Sequence, residues 1–392
     1  MGLVLLVLAL VASACGGSSD SGESTDAADV ETGEDGETTE TTEGDDGEGG
    51  DAEGSGGTLR IGMTAGNIPF PGTPPNEGFE GRRFVGYQIY DALFRYNVEQ
   101  GDEVPIPEPG LAESFEVSDD ELTWTITLRQ DVTFHDGATF DADAVIFNLD
   151  RISDESFEYY DADSANSNVS WLAQIESYEK TGDYEVSFTT GTPYAWLPYD
   201  LSFVYFASPD AVMANPDDYL DNATGTGPFK MVEYVDGQLM VLEAFDDYYR
   251  GRPALDSIEL YPMPEPATRL AALQAGDIDW AELPPPDAVA QLEASGFQVF
   301  LKEYPHVITY QLNVQKPPFD DVRVRQALNY AVDREGTSAL INDVGYPATQ
   351  YLYEGHPWYD EDWEGYPYDP ERAIELLAEA GVEEGLEFNI AY

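Results

Sequence analysis

Apolar and polar residues alternate without a break from Leu122 to Arg129: Leu122, Trp124, Ile126 and Leu128 take one parity, and Thr123, Thr125, Thr127 and Arg129 the other. A period of two places each set on one face of a strand, so this segment predicts a strand buried on one side. The pattern then changes. His135, Asp136 and Gly137 form a turn, and Asp141 precedes Ala142, Ala144, Val145, Ile146 and Leu149, an apolar set at helical spacing behind an acidic cap, with Asp143 in the first turn. Residues 110–151 therefore read as strand, turn and helix.

The same two periods recur along the chain. Strands are predicted at 58–63, at 184–189 with Tyr184, Val186 and Phe188 on one face, at 238–244 and at 257–261, and Ile278 with Trp280 opens another. Helices are predicted over 85–94 and over 266–275, the second stopped by Gly276. Between the first strand and the first helix, TAGNIPFPGTPPNEG at 64–78 is too rich in Pro and Gly for a helix and predicts a loop of the kind that lines binding sites. Farther on, Ile308, Tyr310 and Leu312 alternate in a strand over 307–314. Asp320 caps a helix with Val324, Ala327, Leu328 and Ala331 on one stripe, Asp369 with Pro370 starts a helix that runs to Gly381, and 386–392 begins one more strand. Strands alternating with helices imply an α/β architecture.

Five blocks carry a more specific pattern: LRQDVTFHDGATFDADAV within 110–151, GTGPF at 225–229, YYRGRPALDSIELYPMPEPATRLAALQAGDIDWAEL at 248–283, NVQKPPFDDVRVRQALNYAVDRE at 313–335 and YDPERAIELLAEAG at 368–381. In this order they resemble the bacterial solute-binding proteins of family 5, the substrate-binding subunits of ATP-driven importers, over nearly everything from Thr58 onward. Where the family usually reads NPDYW, this chain has Phe245, Asp246, Asp247, Tyr248 and Tyr249, a departure expected to fall at a surface-strand boundary rather than at the ligand site. The resemblance implies a two-lobe periplasmic-binding-protein-like α/β fold of type II, in the large peptide-binder class. Lobe one would span 58–305 with an inserted subdomain at about 97–200, and lobe two would begin over 306–392 and be incomplete. The hinge would lie at 307–313, and the acidic group that holds a peptide's amino terminus in the family would fall past Tyr392. The implied function is capture of a peptide, or on the same scaffold a nickel chelate, sugar or opine, with no bond made or broken and no cofactor. The implied partners are two membrane permeases and two ATPases, with the binding component itself a monomer.

Charge narrows the partners further. Against 17 Lys and Arg stand 77 Asp and Glu, a net charge of −60, which repels nucleic acid and anionic headgroups and excludes both as partners. Fifteen acids and no base fall in 16–57, leaving 62 acids against 17 bases, so the folded part is acidic as well. Such a surface suits salty surroundings, where screening tempers self-repulsion, and it favours cationic or zwitterionic solutes over anions.

The amino-terminal apolar run at 3–11 is too short to span a bilayer but suits a signal segment. Ala12, Ser13, Ala14 and Cys15 resemble a lipoprotein cleavage box, which makes 1–15 a signal peptide and lipobox and Cys15 the lipid anchor on the outer face of the cell membrane. Residues 16–57 lack the apolar surface to offset ordering entropy and predict a disordered acidic tether, with an acidic interaction tail as the rival reading. A single cysteine excludes an intramolecular disulfide.

Catalytic and metal patterns are sparse. His135, His306 and His356 have no metal spacing, and no G-x-S-x-G, phosphate loop, dinucleotide fingerprint or H-E-x-x-H occurs. A hydrolase using His135 and Asp136 is the enzyme alternative, but a structural turn contact is the favoured role of that pair. A passive surface protein is a third class. Asp360, Asp362, Glu364, Gly365 and Glu371 match the acid spacing of a calcium loop, yet Pro357, Pro367 and Pro370 and the helix start at Asp369 oppose it. The candidate ligand contacts are Asn67, Phe70 and Pro71 on the first loop, Gly225, Thr226, Gly227 and Phe229 on a close-approach loop for which a plain turn of the chain is the favoured role, and Asn313 at the hinge. Tyr194 and Trp196 are candidate cleft aromatics, with core packing the favoured role of either.

Overall fold

The computed structural model describes residues 56–68, 81–97, 106–216, 219–301, 307, 309–342, 345–354, 356, 358–382 and 388. Cys15, Phe70, Pro71, His306, nearly all of the 16–57 run and most of the strand expected over 386–392 lie outside them. At the end of that run, Gly56 N donates to Ala254 O at 2.6 Å and Gly57 N to Asp256 Oδ2 at 2.8 Å, so these two residues are already docked.

In chain order the strands are β1 (Thr58–Met63), β2 (Phe94–Tyr96), β3 (Pro107–Pro109), β4 (Ala112–Val117), β5 (Thr123–Leu128), β6 (Ile175–Gly182), β7 (Glu185–Thr190), β8 (Phe229–Val235), β9 (Leu239–Ala244), β10 (Ser257–Pro262) and β11 (Trp280–Ala281). The main helices are α1 (Ala142–Ser153), α2 (Ala162–Leu172), α3 (Pro266–Ala275), α4 (Val322–Ala331), α5 (Arg334–Leu340) and α6 (Pro370–Glu379). Five strands form a mixed sheet in the order β11-β1-β10-β9-β8, with β1 parallel to β10 and β11 and the remaining pairs antiparallel. Four form an antiparallel sheet in the order β4-β5-β7-β6.

Each sheet has its own core. Trp124, Ile126 and Leu128 of β5 pack with Val186 and Phe188 of β7 and with Val145, Leu149 and Ile152 of α1, as the period-two and helical patterns require. Asp141 caps α1, its carboxylate accepting from Ala144 N at 3.0 Å. The second core joins Ile61 and Met63 of β1 to Met240, Leu242, Ile258 and Leu260 of β9 and β10. A third, smaller cluster of Ala327, Ala373 and Leu376 holds α4 against α6. Among the described residues no helix is long and apolar enough to cross a membrane.

Three expectations shift. The helix expected over 85–94 ends at Ile89: a π turn at Arg82–Gly86 leads into one turn at Tyr87–Ile89, and Tyr90 is extended. The Ile89 carbonyl is captured by Gly227 N at 2.9 Å and Ala92 bridges Tyr205, so tertiary pairing overrides local helix preference. The cap of α4 is Asp321 rather than Asp320, because its carboxylate accepts from Arg323 N at 2.8 Å and pairs with the Arg323 guanidinium. The alternation over 307–314 yields no strand among its described residues. Alternation of apolar residues makes a strand only where a neighbouring strand takes its backbone groups, and no described strand pairs with this segment.

Candidate functional site

Ligands of open α/β sheets bind outside the carboxyl ends of the parallel strands, where connections leave the sheet. Here that rim is formed by the ends of β1, β10 and β11. Glu282 follows β11, and its carboxylate accepts from Thr64 N at 3.2 Å and Thr64 Oγ1 at 3.0 Å, at the end of β1. Arg83 forms an ion pair with the other oxygen of the same carboxylate. The two partners differ in exposure: 48% of the Arg83 side chain is open to solvent, against 11% for Glu282.

Arg269 of α3 fixes the rim from below. It is only 1% exposed, and its guanidinium donates to Glu282 O at 2.7 Å, Pro264 O at 2.8 Å, Leu283 O at 3.0 Å and Met263 O. A buried guanidinium is costly unless its donors are met, and here backbone carbonyls from the segments after β10 and β11 meet them. Leu283 sits at φ 44, a left-handed conformation unusual for leucine, with its carbonyl held by Arg269 and the residue 70% exposed. Trp280 is 47% exposed and edge-on to buried Phe84 at 6.5 Å. The rim thus presents a carboxylate-anchored arginine beside an aromatic wall.

The sequence-predicted residues lie elsewhere. Asn67 ties the loop after β1 to the β8–β9 turn, donating to Asp236 Oδ1 at 2.9 Å and accepting from Gly237 N at 2.6 Å. Gly225, Thr226, Gly227 and Phe229 are buried, and Phe229 already begins β8. A Cβ on Gly225 would collide with the Ile89 carbonyl oxygen, and one on Gly227 would lie 2.5 Å from Gln88 O, so glycine here serves a backbone-on-backbone approach. His135 clamps the loop from the other side: its Nε2 is 2.9 Å from Gly227 O, and Gly225 N donates to Nδ1 at 3.4 Å. Both bonds are made by a neutral ring protonated on Nε2, and burial pushes its pKa down to about 4. Asp136 accepts from Ala138 N and from Ser208 Oγ.

Thr226 Oγ1 donates to Asp91 Oδ2 at 3.1 Å, and Tyr248 OH to Asp91 Oδ1 at 3.3 Å. Desolvation pushes Asp91 up to about 7, against the opposing pull of these two bonds and of Arg95. The 245–249 segment directly follows the end of β9, as expected of a strand boundary, and its first residue also joins this cluster: Phe245 is buried edge-on to His135 at 5.0 Å. Tyr194 donates to Asp200 Oδ2 at 2.8 Å, Trp196 is 56% exposed against Tyr199, and Asn313 is exposed in a local turn with Gln315 N. Of the predicted contacts, the 225–227 loop gathers with Asp91 and His135, while Asn67, Tyr194, Trp196 and Asn313 join other neighbours.

In the calcium-like spacing Asp360 makes a local bond, accepting from Asp362 N, and the helix start that opposed a calcium loop is present, Asp369 capping α6. Among the described residues no three His, Cys, Asp or Glu side chains are grouped to hold a metal. Sequence reasoning missed Thr64, Arg83, Asp91, Arg269 and Glu282. The available signal was position: Thr64 immediately follows the predicted strand 58–63, and Glu282 is a polar residue two positions past Trp280 in the strand opened by Ile278.

The family model for bacterial extracellular solute-binding proteins, family 5 (middle) matches residues 107–392. Heme-binding protein A of Haemophilus influenzae is 33% identical over 319 residues, 76% of this chain and 58% of the relative. The dipeptide-binding protein of Escherichia coli is 33% identical over 364 residues, 85% of this chain and 66% of the relative, so the chain spans under two thirds of either. Among solved structures, AgaA of A. tumefaciens R10 in complex with agropinic acid superposes with a TM-score of 0.70 at 29% identity, covering 83% of this chain and 64% of that one. The mixed five-stranded sheet, its parallel-strand rim and these matches together establish that the chain belongs to the bacterial extracellular solute-binding proteins of family 5.

Proposed function

We propose that the chain is the extracytoplasmic solute-capturing component of an ABC importer, taking a peptide or a comparably small carboxylate-bearing solute at the rim of β11, β1 and β10. The observation that carries this reading is the open strand-end rim itself, with Arg83, Trp280 and Leu283 presented to solvent in a chain of this family. Capture works by population shift: a solute that touches both lobes only when they are shut stabilises the shut form by its differential affinity. The protein makes and breaks no bond. Its partners are two permease subunits and two ATPases, it acts as a monomer, and Cys15 tethers it through the 16–57 run to the outer face of the membrane. The loop at 225–227 shapes lobe one rather than touching solute, and Asn67 and Asn313 set the loops on which they sit.

A non-peptide solute is the second reading, supported by the relative that holds agropinic acid. Heme, dipeptides and agropinic acid differ in size and shape but share carboxylate groups. A thermal-shift screen of peptides, opines, sugars and metal chelates tests the proposal. A true solute at 100 times its Kd adds about 2.7 kcal/mol of stability, and a chain that shifts with none of them refutes solute capture.

A further inference from the structure

We infer that Arg83 is the lobe-one residue that receives the carboxylate of the solute, and that Glu282 positions it; this rests on the solute-capture reading. Three observations converge on Arg83. Its place is the carboxyl rim of the parallel strands, tied to β1 and β11 through Glu282 and Thr64. Its state is that of a held but open group: the Gln88 side chain donates to its carbonyl at 3.2 Å, its guanidinium lies 4.7 Å from the Phe84 ring, and nearly half of the side chain remains in solvent. Its chemistry is a planar fork of five N–H donors whose one hydrogen-bond acceptor among the described residues is Glu282, so donors remain for a second carboxylate.

Glu282 does not cancel the site. Its carboxylate is shared with Thr64 N and Thr64 Oγ1 and is mostly enclosed, so it orients the guanidinium from behind while the outer donors stay available. The neighbouring Phe84–Trp280 pair offers an apolar wall for the group next to the carboxylate. On a folded part with 62 acids and 17 bases, one anchored arginine lets a zwitterion dock its negative end where the rest of the surface repels anions.

The test is calorimetric titration of the full chain with Ala-Phe and with agropinic acid, each beside its carboxamide. Wild type is expected to bind an acid about ten- to a hundredfold tighter than its amide, the range for a hydrogen bond to a charged group. Arg83→Ala should bind acid and amide alike without losing its thermal midpoint, Arg83→Lys should restore part of the preference, and Glu282→Gln should reduce it. Retention of the acid preference in Arg83→Ala overturns the assignment. Equal binding of acid and amide by wild type, or binding only of an uncharged sugar, also overturns it while leaving solute capture standing. Absence of any shift across the whole solute screen instead refutes solute capture, and the assignment with it.

Discussion

The loop at 225–227 and the rim at Glu282 are both places where a strand meets a connection, yet they are built in opposite ways. In the loop, glycines let the backbone press directly onto residues 88–90, and His135, Asp91 and Tyr248 close around it. At the rim, one buried side chain, Arg269, gathers the backbone carbonyls that follow β10 and β11, while Arg83, Trp280 and Leu283 face outward. A glycine-rich loop is as suited to packing backbone on backbone as to approaching a ligand, and sequence alone does not separate the two. A buried arginine that bonds carbonyls instead fixes the two connections to one side chain.

The sharpest break of this comparison removes Arg269. Arg269→Met keeps the bulk but removes four part-buried, charge-assisted hydrogen bonds to backbone carbonyls, several of which water can reach, so a loss of ~2–4 kcal/mol is expected in urea unfolding. A change under 1 kcal/mol would show that the carbonyls need no clamp. Next is Gly225→Ala, where the added methyl meets the Ile89 carbonyl; overpacking costs ~1–3 kcal/mol or somewhat more. The same unfolding curve checks it, and unchanged stability would mean that the loop is open after all.

A subtler probe is pH. His135 has a folded pKa of about 4, below its ordinary value, so its contribution is full above about 6.5 and is lost as pH falls through 4. Asp91 has a folded pKa of about 7, above its ordinary value, so its contribution is full below about 4 and is lost as pH rises through 7. Between these limits the two slopes oppose each other and the wild-type midpoint should vary little. Asp91→Asn should unmask the His135 slope, with stability rising from pH 4 to 6.5 by ~1–3 kcal/mol, whereas His135→Gln should unmask the reverse. Parallel pH profiles for all three proteins would dissolve the idea of a balanced pair. The smallest effect concerns the acidic surface: raising salt from low concentration to ~0.5 M should lift the melting midpoint by a few degrees through screening, and a flat response would count against self-repulsion.

Legibility in the sequence followed the range of the interactions. The strand at 123–128, the cap at Asp141, the helix 266–275 with its Gly276 stop at φ 77 and the start of α6 at Asp369 all depend on neighbours within a few residues, and all were readable. The helix over 85–94 was misjudged because a loop some 140 residues away takes the Ile89 carbonyl. The strand boundary at 245–249 was readable, but its contacts were not, since its partners His135 and Asp91 lie more than a hundred residues upstream.

By itself the sequence determined the alternation of strands and helices, the acidic surface and the family, because periodicity, capping and charge are properties of adjacent residues. Only the tertiary structure decided that the glycines of 225–227 face the protein's own backbone and that Thr64, Arg83, Arg269 and Glu282 meet at one rim. Those residues are separated by up to 218 positions, and only the parallel pairing of β1 with β10 and β11 brings their strand ends to the same edge.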